Sequence, residues 1–99
     1  MTELVYRPEA VADVQAVVDW YDRQRPGLGD EFLEELQKAE NTLRGSAIAF
    51  RVVHRRTRRY IMHRFPYQVL YRVMDEVVVI VGCFHVRRSP RLVRKRSDG

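Results

Sequence analysis

The first half of the chain spaces its apolar residues with the period of an α-helix. Two runs have apolar side chains three or four positions apart: Val11, Val14, Val18 and Tyr21, and then Phe32, Leu36, Ala39 and Leu43. Pro8 suits the first turn of a helix, and the segment Arg25-Pro26-Gly27 interrupts the pattern between the runs. This spacing predicts two amphipathic helices that pack as an antiparallel hairpin, because their connection is so short.

The second half changes to the period of a β-strand. Apolar Val69, Tyr71 and Val73 alternate with their neighbours, which predicts a strand followed by a tight turn. The run Val77–Phe84 is nearly continuous and rich in β-branched residues, which is typical of a central strand buried on both faces. Shorter strands are predicted at Leu4–Tyr6, Phe50–Val53 and Tyr60–Phe65, with a basic turn at Arg55–Arg59.

These elements predict an α+β fold. An N-terminal strand precedes an antiparallel two-helix hairpin that packs on a three- to four-stranded, mainly antiparallel sheet. The 99 residues fit a single domain spanning positions 1–99, and we expect the basic tail at positions 92–99 to be flexible. No charged-then-apolar leader opens the sequence, and its longest apolar run is too short to cross a bilayer. We therefore expect a cytoplasmic protein, with its single cysteine, Cys83, buried in the core.

Charge divides the chain into two unlike halves. Residues 1–45 carry five Lys/Arg and ten Asp/Glu, which gives a net charge of −5. Residues 46–99 carry thirteen Lys/Arg and three Asp/Glu, which gives a net charge of +10. Such a skew favours a strongly acidic partner, either nucleic acid or an acidic protein. The alternative is that basic strands lie beside acidic helices and neutralise them internally. Of the eighteen basic residues, sixteen are arginine, which binds carboxylates and phosphates with a planar fork.

Residues with catalytic chemistry do not form a recognisable motif. The sequence has no Gly-rich phosphate loop, no paired-carboxylate motif and no metal-ligand spacing, so we expect neither a cofactor nor a metal. His54, His63 and His85 are dispersed along the chain. His85 is the best placed, because it ends the predicted central strand, and it is a candidate for a general base.

Four arginines are the stronger candidates for a binding site. Arg64 and Arg72 lie on either side of the predicted turn at Pro66-Tyr67, and Arg87 and Arg88 follow the next strand. We expect the four side chains to meet at one end or face of the sheet and to bind the target. Aromatic residues lie among them, a mixture that suits nucleic acid, although aromatic residues on a sheet usually belong to the core.

The sequence resembles the RelE/ParE superfamily, the toxin halves of bacterial type II toxin–antitoxin pairs, over nearly its whole length. The likeness is strongest in Arg64–Val73, which reads RFPYQVLYRV, and in Phe84–Pro90, which reads FHVRRSP. The Phe-Pro-Tyr turn and the His-x-x-Arg ending are more similar to the ParE branch. The resemblance implies a toxin that causes growth arrest and serves in plasmid stabilisation, and a cognate acidic antitoxin that neutralises it.

The resemblance also bears on the target. RelE-type members cut messenger RNA on the ribosome, and two positions that they use for an arginine and a C-terminal tyrosine fall at Gln68 and near Val93, whereas Arg87 matches another of their arginines. This pattern favours the ParE-like activity, in which the toxin inhibits DNA gyrase by binding and has no chemistry of its own. A ribosome-dependent endoribonuclease, with His85 and Arg87 as catalytic candidates, is the alternative. A residual family member that binds only its antitoxin is the third.

Overall fold

The computed structural model describes residues 2–98, which form five strands and three helices. In chain order these are β1 (Glu3–Tyr6), α1 (Pro8–Gln24), α2 (Leu28–Ser46), β2 (Val52–His54), β3 (Thr57–Ile61), β4 (Tyr67–Met74), β5 (Val77–His85) and α3 (Pro90–Asp98). A short 3₁₀ turn, Ala47–Ala49, follows α2. The predicted α+β class is confirmed. None of the helices in this part of the chain is both long enough and apolar enough to be a membrane span.

The sheet has five strands rather than three or four, in the order β1-β5-β4-β3-β2. The pairs β2–β3, β3–β4 and β4–β5 are antiparallel, whereas β1 is parallel to β5 and occupies an edge. The predicted long apolar strand β5 therefore lies between β1 and β4. Its position inside the sheet explains why its residues are apolar on both faces.

The hairpin of α1 and α2 covers one face of the sheet, which we call the inner face. Its apolar stripe packs on inward side chains of β4 and β5 and buries Val17, Phe32, Leu36 and Leu43. Gly29 of α2 packs directly against α1, where an added Cβ would come within 2.8 Å of the Val18 carbonyl oxygen. The predicted helix hairpin is thus present, and it requires a residue without a side chain at this point.

The shorter strands differ from their predicted bounds. The predicted basic turn Arg55–Arg59 is much shorter, because only Arg55 and Arg56 connect the strands and β3 already begins at Thr57. Arg55 takes a left-handed backbone conformation, with φ of 51°. Thr57 is fully buried. Thr57 pairs with His54, and Arg58 pairs with Tyr71, so the strand extends into the arginine run.

The other face of the sheet, the outer face, has a small apolar cluster of its own. A bulge in β5 leaves Val81 as an extra residue opposite β4, since Leu70 pairs with Gly82 and Tyr71 with Ile80. Val81 then packs with Leu70 and Phe84 on this face. The cluster explains the continuous apolar sequence of β5.

The C-terminal segment differs most from expectation. A flexible tail was predicted at positions 92–99, but residues 90–98 form helix α3, and position 99 lies outside the described residues. Leu92 and Val93 of α3 pack on the outer-face cluster, and Ser97 is only 1% exposed. The helix is ordered because the outer-face cluster gives its two apolar residues a surface to cover.

Candidate target-binding surface

Several arginines lie beside α3 on the outer face, and the strand register defines two ends of that face. Tyr67 of β4 pairs with His85 of β5 at one end, and Met74 pairs with Val77 at the other. We call these the His85 end and the Met74 end. A recess flanks α3 at each of them.

The two recesses differ in size but are both rich in arginine. The Met74-end recess has a volume of about 580 Å³ and is lined by Arg55, Arg56, Arg72, Met74, Ser97 and Asp98. The His85-end recess has about 180 Å³, and its basic lining residues are Arg59, Arg88 and Arg94. Three guanidinium groups at each recess make the outer face a surface for anionic ligands.

The four arginines predicted to meet are divided between the two ends. Arg64, Arg87 and Arg88 lie in the connections beyond β3 and β5, at the His85 end. Arg72 pairs with Val79 near the Met74 end, about 17 Å along the strand from Tyr67 at the usual rise per residue. The sequence suggests that Arg72 lies close to the turn at Pro66-Tyr67. Strand β4 is eight residues long, however, and Arg72 lies near its other end.

Arg64 is engaged by the helix hairpin. Its guanidinium forms an ion pair with Glu31 of α2, and Arg25 donates to the same carboxylate at 3.0 Å. Hydrogen bonds from Arg64 and Arg25 lower the pKa of Glu31 below its usual value. Arg64 therefore holds the β3–β4 connection against α2. At this residue the basic half of the chain neutralises the acidic helices, which is the alternative that the charge pattern allowed.

Arg87 and Arg88 are exposed in the turn after β5. The Arg88 N–H donates to the His85 carbonyl oxygen at 3.0 Å, and the Arg88 guanidinium lies 5.7 Å from the centre of the Phe84 ring. The Arg87 side chain has no hydrogen bond or ion pair with any residue from 2 to 98. Both guanidinium groups are thus available to an external partner.

His85 is held by its own turn. The Arg87 N–H donates to Nδ1 of His85 at 3.1 Å, and the ring lies edge-on to Tyr67 with 5.4 Å between centres. A neutral imidazole has one donor and one acceptor nitrogen. Because Nδ1 is the acceptor, Nε2 carries the proton and can only donate while the ring is neutral.

The two positions that match nuclease residues are part of the packing. Gln68 is 3% exposed, and its amide nitrogen lies 3.5 Å from the His85 carbonyl oxygen. Val93 packs on the outer-face cluster from α3. Neither side chain can ionise, so neither can transfer a proton to or from a substrate.

An ion pair connects α3 to α1 across the bulge of β5. Arg96 of α3 donates to Oδ2 of Asp13 at 2.5 Å and to the Val81 carbonyl oxygen at 3.1 Å, while the Cys83 N–H donates to the same Oδ2 at 3.0 Å. An added Cβ at Gly82 would lie 3.3 Å from the Arg96 guanidinium. Arg96 and Asp13 thus provide hydrogen-bond partners for the Val81 carbonyl and the Cys83 N–H at the bulge. Gly82 leaves space for the Arg96 side chain.

Beside this ion pair, a groove of about 290 Å³ runs between α1 and α3, and we call it the α1–α3 groove. Its lining includes Ala16 and Trp20 of α1, Phe84 and His85 of β5, and Leu92 of α3. Trp20 is 48% exposed there. Cys83 also lines the groove, and burial raises the pKa of its thiol to about 12, so that it stays protonated and unreactive at neutral pH.

A family model matches most of this architecture. The model of the ParE toxin of type II toxin–antitoxin systems, parDE, matches residues 4–90. The chain belongs to the ParE toxin family. The matched part begins within β1, contains the hairpin and β2 to β5, and stops where α3 begins.

Solved structures share the fold of this ParE-family toxin at low sequence identity. A chain of the chromosomal ParDE toxin–antitoxin system from P. aeruginosa superposes with a TM-score of 0.74 and 20% identity, covering 86% of this chain and 96% of that one. A chain of the intact E. coli RelBE toxin–antitoxin complex superposes with a TM-score of 0.63 and 19% identity, covering 89% of this chain and 100% of that one. No curated protein matches the sequence at a significant level. Both structures support the fold alone.

Sequence reasoning missed several residues of the surface of this ParE-family toxin. Arg55, Arg56, Arg59 and Arg94 line the recesses, but the first three were assigned to a turn and the last to a flexible tail. Strand alternation offered a signal, because Arg59 pairs with the outward-facing Leu70. Among residues 2–98, no group of histidine, cysteine or acidic side chains is arranged to hold a metal ion.

Proposed function

We propose that this ParE-family toxin arrests growth by binding and inhibiting DNA gyrase in the cytoplasm, without chemistry of its own. The observation that carries the proposal is the state of Gln68 and Val93. Where the superfamily's RNA-cleaving members have an arginine and a tyrosine, this chain has a buried amide and an apolar side chain of α3 that packs on the outer-face cluster. A surface without ionisable groups at these positions favours binding over phosphodiester cleavage.

His85 supports the same proposal. A general base needs an unprotonated nitrogen that faces its substrate, and the Nδ1 lone pair of His85 is occupied by the Arg87 N–H at 3.1 Å. Nε2 then carries the proton when the ring is neutral. The most plausible catalytic residue in the sequence is therefore in the wrong tautomer for that role.

Arg87 and Arg88 are the residues that we propose to contact the target. Both are exposed at the His85 end, and the Arg88 side chain lies beside Phe84, which limits the orientations of its guanidinium. The predicted contacts of Arg64 and Arg72 are retained as part of the proposal, with smaller contributions. Arg64 is already paired with Glu31, and Arg72 lies at the opposite end of the sheet.

The test compares the two targets with one preparation. Purified full-length toxin is added to a gyrase supercoiling assay and, separately, to translating ribosomes with a defined messenger RNA. We expect supercoiling to be inhibited in proportion to toxin concentration and the messenger RNA to remain intact. Cleavage in the ribosomal A site together with unaffected gyrase would overturn the proposal.

A ribosome-dependent endoribonuclease is the second candidate, and the His85-end recess favours it. That recess combines three arginines with Gln68 in a volume of about 180 Å³ next to Arg87, which matches a nuclease arginine. The E. coli RelBE chain superposes on 89% of this chain. The messenger RNA arm of the same experiment detects this activity directly.

We further propose a cognate acidic antitoxin as the neutralising partner. The +10 half of the chain attracts an acidic segment, and the exposed Trp20 and the half-buried Leu92 offer apolar anchors in the α1–α3 groove. The antitoxin to be tested is the one encoded beside the toxin. Raising ionic strength from about 0.05 to 0.5 M should slow association strongly and change dissociation little. An association rate indifferent to salt would contradict this account.

A further inference from the structure

We infer that the Met74-end recess is a binding site for a chain of phosphate groups, carried by a nucleic-acid backbone or by a free polyphosphate. The inference does not depend on gyrase inhibition, because this recess lies at the end of the sheet opposite to Arg87 and Arg88. It rests on charge, on the fixed position of one arginine and on the shape of the recess.

Charge in the recess is unbalanced toward the positive side. Its lining holds three guanidinium groups, from Arg55, Arg56 and Arg72, and one carboxylate, from Asp98. That carboxylate is already occupied, since its Oδ1 lies 3.1 Å from Nε2 of His54 and 3.2 Å from Nε of Arg55. Within residues 2–98, the exposed side chain of Arg56 forms no hydrogen bond or ion pair. An anion in the recess would satisfy groups that the protein leaves open.

Arg72 is held in place for this role. It is half-buried on β4, and its Nε donates to the Thr57 hydroxyl at 3.4 Å, which leaves the terminal nitrogens of the guanidinium free to bind a ligand. Burial lowers the pKa of Arg72, and repulsion from Arg7 and Arg56 lowers it further. Repulsion between these neighbouring positive charges disfavours the charged form of Arg72, and a bound anion offsets that repulsion.

The shape of the recess favours an extended ligand over a single anion. A volume of about 580 Å³ falls within the range of roughly 300–1,000 Å³ that is usual for small-molecule sites. A lone carboxylate pairs with one guanidinium fork, whereas successive phosphates can engage Arg72 and Arg56 together. Met74 is 42% exposed at the wall and gives an apolar surface for a neighbouring sugar or base.

The experiment measures two probes on the full-length toxin: sodium triphosphate by isothermal titration calorimetry, and a fluorescein-labelled 20-base-pair DNA duplex by anisotropy. The variants are Arg56→Gln and Arg72→Gln, with Arg72→Lys to preserve folding if the loss of the Thr57 contact unfolds the chain. Arg91→Gln is the matched control, because it removes the same charge from an exposed position outside the recess.

We expect at least one probe to bind saturably, and Arg56→Gln or Arg72→Gln to weaken it about tenfold, the effect of losing one charge-assisted hydrogen bond. Arg91→Gln should change binding less than twofold. For the duplex, each lost phosphate contact should also reduce the slope of log affinity against log salt by about 0.9. Triphosphate binding alone identifies a free polyphosphate as the ligand, and duplex binding alone identifies the nucleic-acid backbone. Absence of saturable binding, or an equal loss in Arg91→Gln, overturns the inference.

Discussion

The two faces of the sheet are covered in different ways. The inner face is covered by two helices of 17 and 19 residues with a continuous apolar core. The outer face is covered by one helix of nine residues, with two apolar side chains over a cluster of three. The acidic half of the chain forms the first cover, and basic residues surround the second.

Because of this difference, we expect the inner face to supply most of the stability and the outer face to serve recognition. The inner face buries large apolar side chains that supply most of the free energy of folding. The outer face gains little apolar burial and relies on polar contacts such as Asp13–Arg96, while its arginines remain accessible. Substitutions on the two faces should therefore differ in kind: inner ones should change stability, and outer ones should change binding.

The largest effect should come from truncating the inner core at Phe32. This side chain is fully buried and contacts the rings of Tyr21, Phe65 and Tyr67 at centre distances of 5.4 to 5.9 Å. Phe32→Ala should lower the free energy of unfolding by about 3–5 kcal/mol, measured by urea denaturation. Leu33→Ala, at the exposed neighbouring position, is the control and should cost well under half as much. Equal losses would show that the inner face is not the main source of stability.

A smaller effect is expected where α3 joins the outer face. Asp13→Ala removes the acceptor of Arg96 and of the Cys83 N–H, and we expect a loss of about 1–3 kcal/mol. Hydrogen exchange should accelerate first in α3, because its apolar contacts are few. Asp19→Ala, on the same helix and exposed, serves as the control. Uniform acceleration over the whole chain would show that α3 is not separately anchored.

The ion pairs of Glu31, which join the hairpin to the β3–β4 connection, should make the free energy of unfolding depend on pH. Its pKa is lowered in the folded state by Arg64 and Arg25. The folded protein therefore binds this proton more weakly than the unfolded chain, and the contribution is present at neutral pH and is lost as pH falls through the folded pKa. Wild type and Glu31→Gln should differ in urea midpoint at pH 7 and converge in acid. Glu34→Gln, exposed on the same helix, should not show this convergence.

The smallest effect on stability should accompany the largest effect on function. Arg87→Glu and Arg88→Glu alter exposed side chains, and exposed charges contribute on the order of 0–1 kcal/mol. The melting temperature should hardly change, whereas growth arrest on expression should be lost. Arg51→Glu reverses an exposed charge in the same basic half and should retain toxicity. Unfolded variants at 87 or 88 would assign these arginines a structural role instead.

Much of the inner face could be predicted from sequence because its determinants are local. Helical spacing identified α1 and α2, alternation identified β4, and a continuous β-branched apolar run identified β5. The outer face could not be predicted in this way. Helix α3 depends on Arg96 meeting Asp13, 83 residues earlier, and on a bulge at Val81 that a run of β-branched residues conceals.

The candidate site shows the same limit. Arg87 and Arg88 were found because they directly follow a recognisable strand. The distance between Arg72 and these residues, and the pairing of Arg64 with Glu31, depend on strand register and on contacts remote in sequence. The Met74-end recess was missed because Arg55 and Arg56 acquire neighbours only when α3 is in place.

The parallel pairing of β1 with β5 has a consequence for the order of events during synthesis. Leu4 pairs with Val78, 74 residues later, and at about 5–20 residues per second a ribosome needs roughly 4–15 s to make that interval. The hairpin and the meander from β2 to β5 close over short separations and can form sooner. The first strand to be translated is therefore among the last to find its partner. A nascent chain stopped before Val77 lacks β5, the strand with which its own first strand pairs.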